Sequence, residues 1–143
     1  MKDKIIFITG ATSGIGEGCA RKFASEGANL ILNGRNQDKL NELKVELEAD
    51  FGIEVLLLPF DVRDRERAKV AIESLEGKWR SIDVLVNNAG LVIGFDKEFE
   101  GVLEEWDIVI DTNIKGLLNI TRLVTPGMVQ RGVGHIINIG SIA

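Results

Sequence analysis

Apolar, β-rich runs recur at Ile5 to Thr9, Asn29 to Leu32, Val55 to Phe60, Val84 to Val86 and His135 to Ile139, each bounded by glycine, proline or polar turn residues. Five strands are expected there. The runs are nearly continuous in hydrophobicity and do not alternate, which is the pattern of strands buried on both faces of a parallel sheet. Between them, Ile15, Cys19 and Phe23 recur at helical spacing, and Gly27 stands where a left-handed cap would stop that helix. Leu40, Leu43 and Leu47 form a second stripe before Phe51 and Gly52. A weaker third pattern runs from Asp64 to Gly77, with Val70, Ile72 and Leu75 among its apolar residues. A long fourth passes through Trp106, Ile110, Ile114, Leu117, Leu118, Thr121 and Val124, with Pro126 bending or ending it. Strand and helix alternate throughout, so the expected fold is a doubly wound parallel α/β sheet forming one domain over residues 1–143. Only Gly140 to Ala143 follow the fifth strand, too few for the helix that should cover it, so the chain is expected to stop inside a domain.

Composition narrows the function. Seventeen basic and 22 acidic side chains leave a formal charge of −5, so no cationic field exists to hold a nucleic-acid backbone or an anionic membrane. Neither is an expected partner. A single thiol, Cys19, cannot form an internal disulfide, and one histidine, His135, leaves a metal site short of nitrogen ligands. No metal is expected, and a reducing, cytoplasmic setting is. The apolar runs fall far short of the ~20 residues that span a bilayer, and Met1 to Lys4 lead into a strand without a signal-peptide layout. Trp79, Trp106, Phe51, Phe60, Phe95 and Phe99 read as core or lid packing, Cys19 as a small buried side chain, and His135 as a surface or turn residue. The charges from Asp61 to Arg80 alternate in sign, as on a solvated helix face.

The first candidate chemistry lies where strand one turns into helix one. Gly10, Ala11, Thr12, Ser13, Gly14, Ile15 and Gly16 space their glycines as G-x-x-x-G-x-G. Gly10 permits a tight turn, Gly14 lets a pyrophosphate reach the helix N-terminus, and Gly16 allows close packing of helix on sheet. Thr12 and Ser13 offer hydroxyls to the same phosphates. The preceding strand and following helix make this a dinucleotide site in context. At the end of strand two, where an enzyme preferring NAD places an acidic residue about 20 residues past the glycines, the sequence reads Asn33-Gly34-Arg35-Asn36. Arg35 can pair with a 2′-phosphate through two charge-assisted hydrogen bonds, which points to NADP. Asp61 and Val62 close strand three, where Asp61 could accept from an adenine amine and Val62 could pack beside it. After strand four, Asn88, Ala89 and Gly90 suit a crowded backbone crossing next to a ribose.

Taken together, the glycine loop, the Asn87 to Gly90 block, Asp111-Thr112-Asn113 and Ile137-Asn138-Ile139-Gly140-Ser141 resemble the short-chain dehydrogenase/reductase family over the whole chain and in the same order. Within that family the closest likeness is to the NADP-dependent 3-hydroxy acid dehydrogenases, which oxidise serine, allo-threonine and related small hydroxy acids. The resemblance implies that Gly10 to Ile15 cradle the phosphates, that Arg35 and Asn36 hold the 2′-phosphate, that Asp61 and Val62 frame the adenine and that Asn88 meets the ribose. It also implies hydride transfer between NADP and a small hydroxy acid, alcohol or ketone, with homo-oligomeric assembly as a dimer or tetramer. In the family a tyrosine moves the hydroxyl proton, a lysine four residues on lowers its pKa, a serine orients the substrate oxygen and an asparagine holds a relay water. Ser141 and Asn113 match the last two. The chain contains no tyrosine, and no lysine follows Ser141. The expectation is therefore the N-terminal part of an oxidoreductase, inactive as an isolated chain. The alternative is a non-catalytic dinucleotide-binding module.

Overall fold

The computed structural model describes residues 1–94 and 96–141, so the packing expected of Phe95 lies outside the described residues. Its strands are β1 (Ile5–Ile8), β2 (Asn29–Gly34), β3 (Val55–Pro59), β4 (Val84–Asn87) and β5 (His135–Asn138). Helices α1 (Gly14–Ser25), α2 (Gln37–Phe51), α3 (Arg65–Glu73), α4 (Leu103–Ile110) and α5 (Leu117–Arg131) connect them, and a π-helical turn over Asp111–Gly116 joins α4 to α5. All strand pairs are parallel, in the order β3-β2-β1-β4-β5. The chain thus builds outward from β1 to β3, then returns to the other side of β1. The point where direction reverses, between β1 and β4, opens a crevice at the carboxyl ends of those strands.

The two faces of the sheet are read off the two-residue period of the strands. Ile6, Ile8, Leu30, Leu32 and Val86 pack with Ala20, Ala24, Leu40, Leu43 and Leu47 on one side. Ile5, Phe7, Ile31 and Leu85 pack with Ala68, Ile72, Ile120, Val124 and Met128 on the other. Asn36 caps α2 by accepting from the Lys39 amide, Asp64 caps α3 by accepting from the Arg67 amide, and Gly27 (φ 79°) and Gly52 (φ 64°) sit in the left-handed region just past α1 and α2.

Four expectations change. Helix α1 buries Gly16, Ala20 and Ala24, while Cys19 and Phe23 are half-buried and Ile15 is 62% exposed. Small residues let the helix axis approach the sheet, so the contact face is rotated from the bulkier stripe. Val70 projects outward from α3, whose buried residues are Ala68 and Ile72. Trp106, Ile110, Ile114 and Leu118 also face away from the core, which receives Val124 from the expected stripe together with Ile120 and Met128. The extra residue per turn of the π segment resets the helical phase there. Pro126 does not end α5, which continues to Arg131 and stops at Gly132 (φ 67°). Among the described residues β5 forms one edge of the sheet and is largely exposed, as expected of a fifth strand with no covering helix after it. Phe60 is in the core, whereas Phe51 and Phe99 are exposed.

No described helix is long and apolar enough to cross a membrane. Replacing the fully buried Leu47 by alanine is expected to cost about 2–5 kcal/mol, whereas Val70→Ala on the exposed face should change stability by less than about 0.5 kcal/mol. Urea unfolding of both variants beside the parent checks the assignment of the two faces.

Candidate functional site

A cleft of about 960 Å³ lies over the carboxyl ends of the sheet. It is lined by Gly10, Thr12, Ser13, Gly14 and Ile15 from the β1–α1 turn, Gly34 and Arg35 after β2, and Asp61 and Val62 after β3. Asn88, Ala89 and Gly90 after β4, Asn113 from the π-helical turn and Ser141 after β5 also line it. Residues spread over 132 positions of chain, from 10 to 141, therefore meet at one crevice. Ala11, Gly16 and Asn36 do not line it. The Ala11 amide is used by the Asn33 carbonyl at 2.9 Å, and the Asn36 side chain is spent on capping α2.

The glycine loop is shaped by close backbone approach. Gly10 (φ 65°) and Gly14 (φ 55°) are left-handed, and a side chain on Gly16 would come within 2.3 Å of the Gly10 carbonyl oxygen. At Gly34 a side chain would meet Thr12 at 2.8 Å. Glycine at these positions lets the loop backbone pack closely against Asn88, Ala89 and Thr12. Ser13 begins α1 in an extended conformation without a side-chain cap. The N-terminal amides of a 12-residue helix, its positive dipole end and the Thr12 and Ser13 hydroxyls thus face one space, a donor set suited to phosphate oxygens.

Thr9 and Asn88 fasten this loop to the neighbouring strand. The Thr9 hydroxyl oxygen accepts from the backbone amides of Asn88 and Ala89, each at 3.0 Å. Asn88 Nδ2 in turn donates to the carbonyls of Thr9 (3.1 Å) and Gly10 (3.0 Å). The Asn88 side-chain nitrogen thus fastens the loop, while the residue itself still lines the cleft. Deeper, buried Asn87 donates through Nδ2 to Thr121 Oγ1 and to Asn138 Oδ1, both at 2.9 Å. Its Oδ1 is a buried acceptor with no donor among the described residues. Asn113 clamps the loop after β4, with Oδ1 accepting from the Leu91 amide (2.9 Å) and Nδ2 donating to the Leu91 carbonyl (2.7 Å). Its side chain is therefore a strut, and what it offers the cleft is backbone in a π-helical turn.

Asp61 is bound by Arg63. Arg63 Nε lies 3.1 Å from both carboxylate oxygens, Nη2 donates to Oδ2 at 2.7 Å, and the Arg63 backbone amide donates to Oδ1 at 3.0 Å. These side-chain bonds hold the Asp61 carboxyl below its usual range. Burial opposes the shift, and the backbone bond and the charges of Arg63 and Arg35 add to it. Of about four acceptor sites on a carboxylate, Arg63 leaves roughly one for an adenine amine. The Asp61 and Arg63 charges thus leave the solvated helix face to which the alternating pattern assigns them.

Sequence reasoning overlooks Arg63, the acceptor role of Thr9 and the Asn113–Leu91 clamp. Only the first carried a local signal, an Asp-x-Arg just past a strand end. The other two join segments 79 and 22 residues apart and become visible only through topology. Among the described residues no group of three or more histidine, cysteine or carboxylate side chains could hold a metal ion.

A parallel sheet with a glycine loop and a cleft at its switch point defines a Rossmann-type α/β fold. The family model described as short chain dehydrogenase matches residues 4–143, and the chain belongs to that family. It is 49% identical over 139 residues to the NADP-dependent 3-hydroxy acid dehydrogenase of Salmonella typhi, covering 97% of this chain and 54% of that protein. Among solved structures, the closed form of serine dehydrogenase complexed with NADP+ is 46% identical with a TM-score of 0.88, covering 96% of this chain and 54% of that one. L-Sorbose reductase from Gluconobacter frateurii, complexed with NADPH and L-sorbose, is 35% identical with a TM-score of 0.91, covering 99% and 54%. The chain thus spans about half the length of the curated relatives it matches.

Thr9→Val leaves two part-buried amides without their acceptor and should cost about 1–3 kcal/mol for each, whereas Thr9→Ser keeps the oxygen and should lose much less. Equal unfolding midpoints in urea for the two variants would contradict the fastening role.

Proposed function

We propose that residues 1–143 belong to the cofactor-binding domain of an NADP-dependent oxidoreductase, acting in the cytoplasm on a small hydroxy acid or a related alcohol and its ketone. The observation that carries this reading is the convergence of the α1 N-terminus, Arg35, Asn113 and Ser141 on one cleft. NADP fits the residues present: at Gly10 and Gly34 a side chain would strike Ala89 and Thr12, Gly14 (φ 55°) leaves the start of α1 open to the cleft, and no carboxylate at the end of β2 opposes the donors. When bound, the cofactor supplies the hydride acceptor of an alcohol oxidation or the hydride donor of the reverse reaction.

The chain's own residues then have separable tasks. The first amides of α1 and the Thr12 and Ser13 hydroxyls hold the diphosphate. Arg35 takes the 2′-phosphate through its planar fork. Asp61 offers its remaining acceptor site to the adenine, and Val62 packs beside it. Ala89 and Gly90 keep the wall low beside the ribose. Ser141 orients the substrate oxygen, and Asn113 keeps the π-helical turn in place so that its backbone can hold a water at the substrate side. The proton itself passes through the family's tyrosine, which these 143 residues do not contain.

The reading also covers assembly. Leu103, Trp106, Ile110, Ile114 and Leu118 form an exposed apolar stripe along α4 and α5, suited to burial in a homodimer or homotetramer.

Titration of the full-length protein should show NADPH binding more tightly than NADH, with Arg35→Ala weakening NADPH by about 10–100-fold, the range for a charge-assisted bidentate pair. Tighter binding of NADH would overturn the assignment of Arg35. Polypeptide 1–143 alone, given NADPH and a small 3-oxo acid, should turn over no faster than a control without enzyme. Turnover well above that control would show that the proton is delivered without a tyrosine.

A further inference from the structure

The cleft contains an electrostatic conflict that the proposed function does not resolve by itself. A 2′-phosphate held by Arg35 would lie in the same cleft as the Asp61 carboxylate, and Asp61 is near enough to Arg35 to feel its charge. Like charges within one cleft repel, and repulsion of a 2′-phosphate penalises the phosphorylated dinucleotide alone. Arg63 stands outside the cleft lining but grips Asp61 from behind with side chain and backbone together. The geometry is the bidentate fork that a lysine cannot reproduce. Arg63 is in turn steadied by the nearby charge of Asp111, which is itself paired with Lys115 at 2.7 Å.

We propose that Arg63 is a positioning residue for cofactor choice: by pairing with Asp61 it cancels the one carboxylate that would otherwise repel a 2′-phosphate bound at Arg35. This inference rests on the NADP reading above and adds a residue to it. Arg63 does not touch the phosphate; it acts through Asp61. Selectivity between NADP and NAD is therefore shared by the end of β2, where Arg35 attracts, and the end of β3, where Arg63 removes a repulsion. The adenine contact of Asp61 is common to both dinucleotides, so it drops out of their affinity ratio.

The test is a cycle of four full-length proteins: the parent, Arg63→Gln, Asp61→Asn and the double variant, each titrated with NADPH and with NADH at fixed ionic strength. Arg63→Gln should weaken NADPH by about fivefold while changing NADH by less than about twofold, the scale of a partly exposed charge pair. Asp61→Asn should keep or increase the preference for NADPH. In the double variant the ratio should return to within about twofold of the parent, because no carboxylate remains to be cancelled. Equal weakening of both dinucleotides in Arg63→Gln would make Arg63 a purely structural residue and overturn the proposal. A ratio that stays low in the double variant would mean direct contact with the phosphate and would overturn it equally. A parent that binds NADH as tightly as NADPH would instead defeat the NADP reading itself, an outcome visible before any variant is compared.

Discussion

A single threonine hydroxyl holds the working end of the molecule together. Thr9 directly follows β1 and accepts from the first two amides beyond β4, while Asn88 returns two bonds to the carbonyls of Thr9 and Gly10. The floor of the cleft is this joint. Without it the glycine loop has no fixed distance from β4, and the α1 N-terminus has no fixed aim. The absence of a side chain at Gly16 follows from the same constraint, since a Cβ there would strike both the Gly10 carbonyl and the Asn88 amide. Backbone groups thus stand where phosphate oxygens need donors because side chains elsewhere have already been paired.

The charge arrangement over this floor is economical. Among the groups lining the cleft, Arg35 is a cation and Asp61 an anion, with the latter neutralised from outside by Arg63. A formal charge of −5 for the whole chain would otherwise disfavour a polyanionic ligand. Local placement at a helix N-terminus and beside one guanidinium outweighs that mean field within a Debye length of roughly 8–10 Å.

Most of the fold was legible from residue pattern. The five strands lie within a residue or two of the apolar runs, and Leu40, Leu43 and Leu47 are all buried, because strands and an amphipathic helix announce themselves by period. The helix α1 face was not legible, since its contact is made by alanines and glycine, which contribute little to a hydrophobic pattern but permit close approach. The stripe through Trp106, Ile110, Ile114 and Leu118 misleads for the opposite reason: it is strongly apolar yet faces outward. For the cleft, the loops were legible because each carries unusual backbone chemistry after a strand. The pairing of side chains within it was not, because Thr9 with Asn88 and Asn113 with Leu91 depend on which strands become neighbours.

The register of β1 against β4 has a consequence for how the protein reaches this state. Ile6 pairs with Val84, whereas the β1–β2 and β2–β3 pairs join strands separated by one helix each. Closing the longer loop costs more chain entropy, although only logarithmically, and delays its reward until both segments are in place. The cleft straddles that junction, with the glycine loop on one side and Asn88 to Gly90 on the other. A molecule lying across it would contact the two parts that come together over the greatest sequence distance, and would bind the completed sheet in preference to any partly assembled chain. Occupancy would then draw the folding equilibrium toward completion by mass action, so that the concentration of the ligand governs how much of the protein is whole.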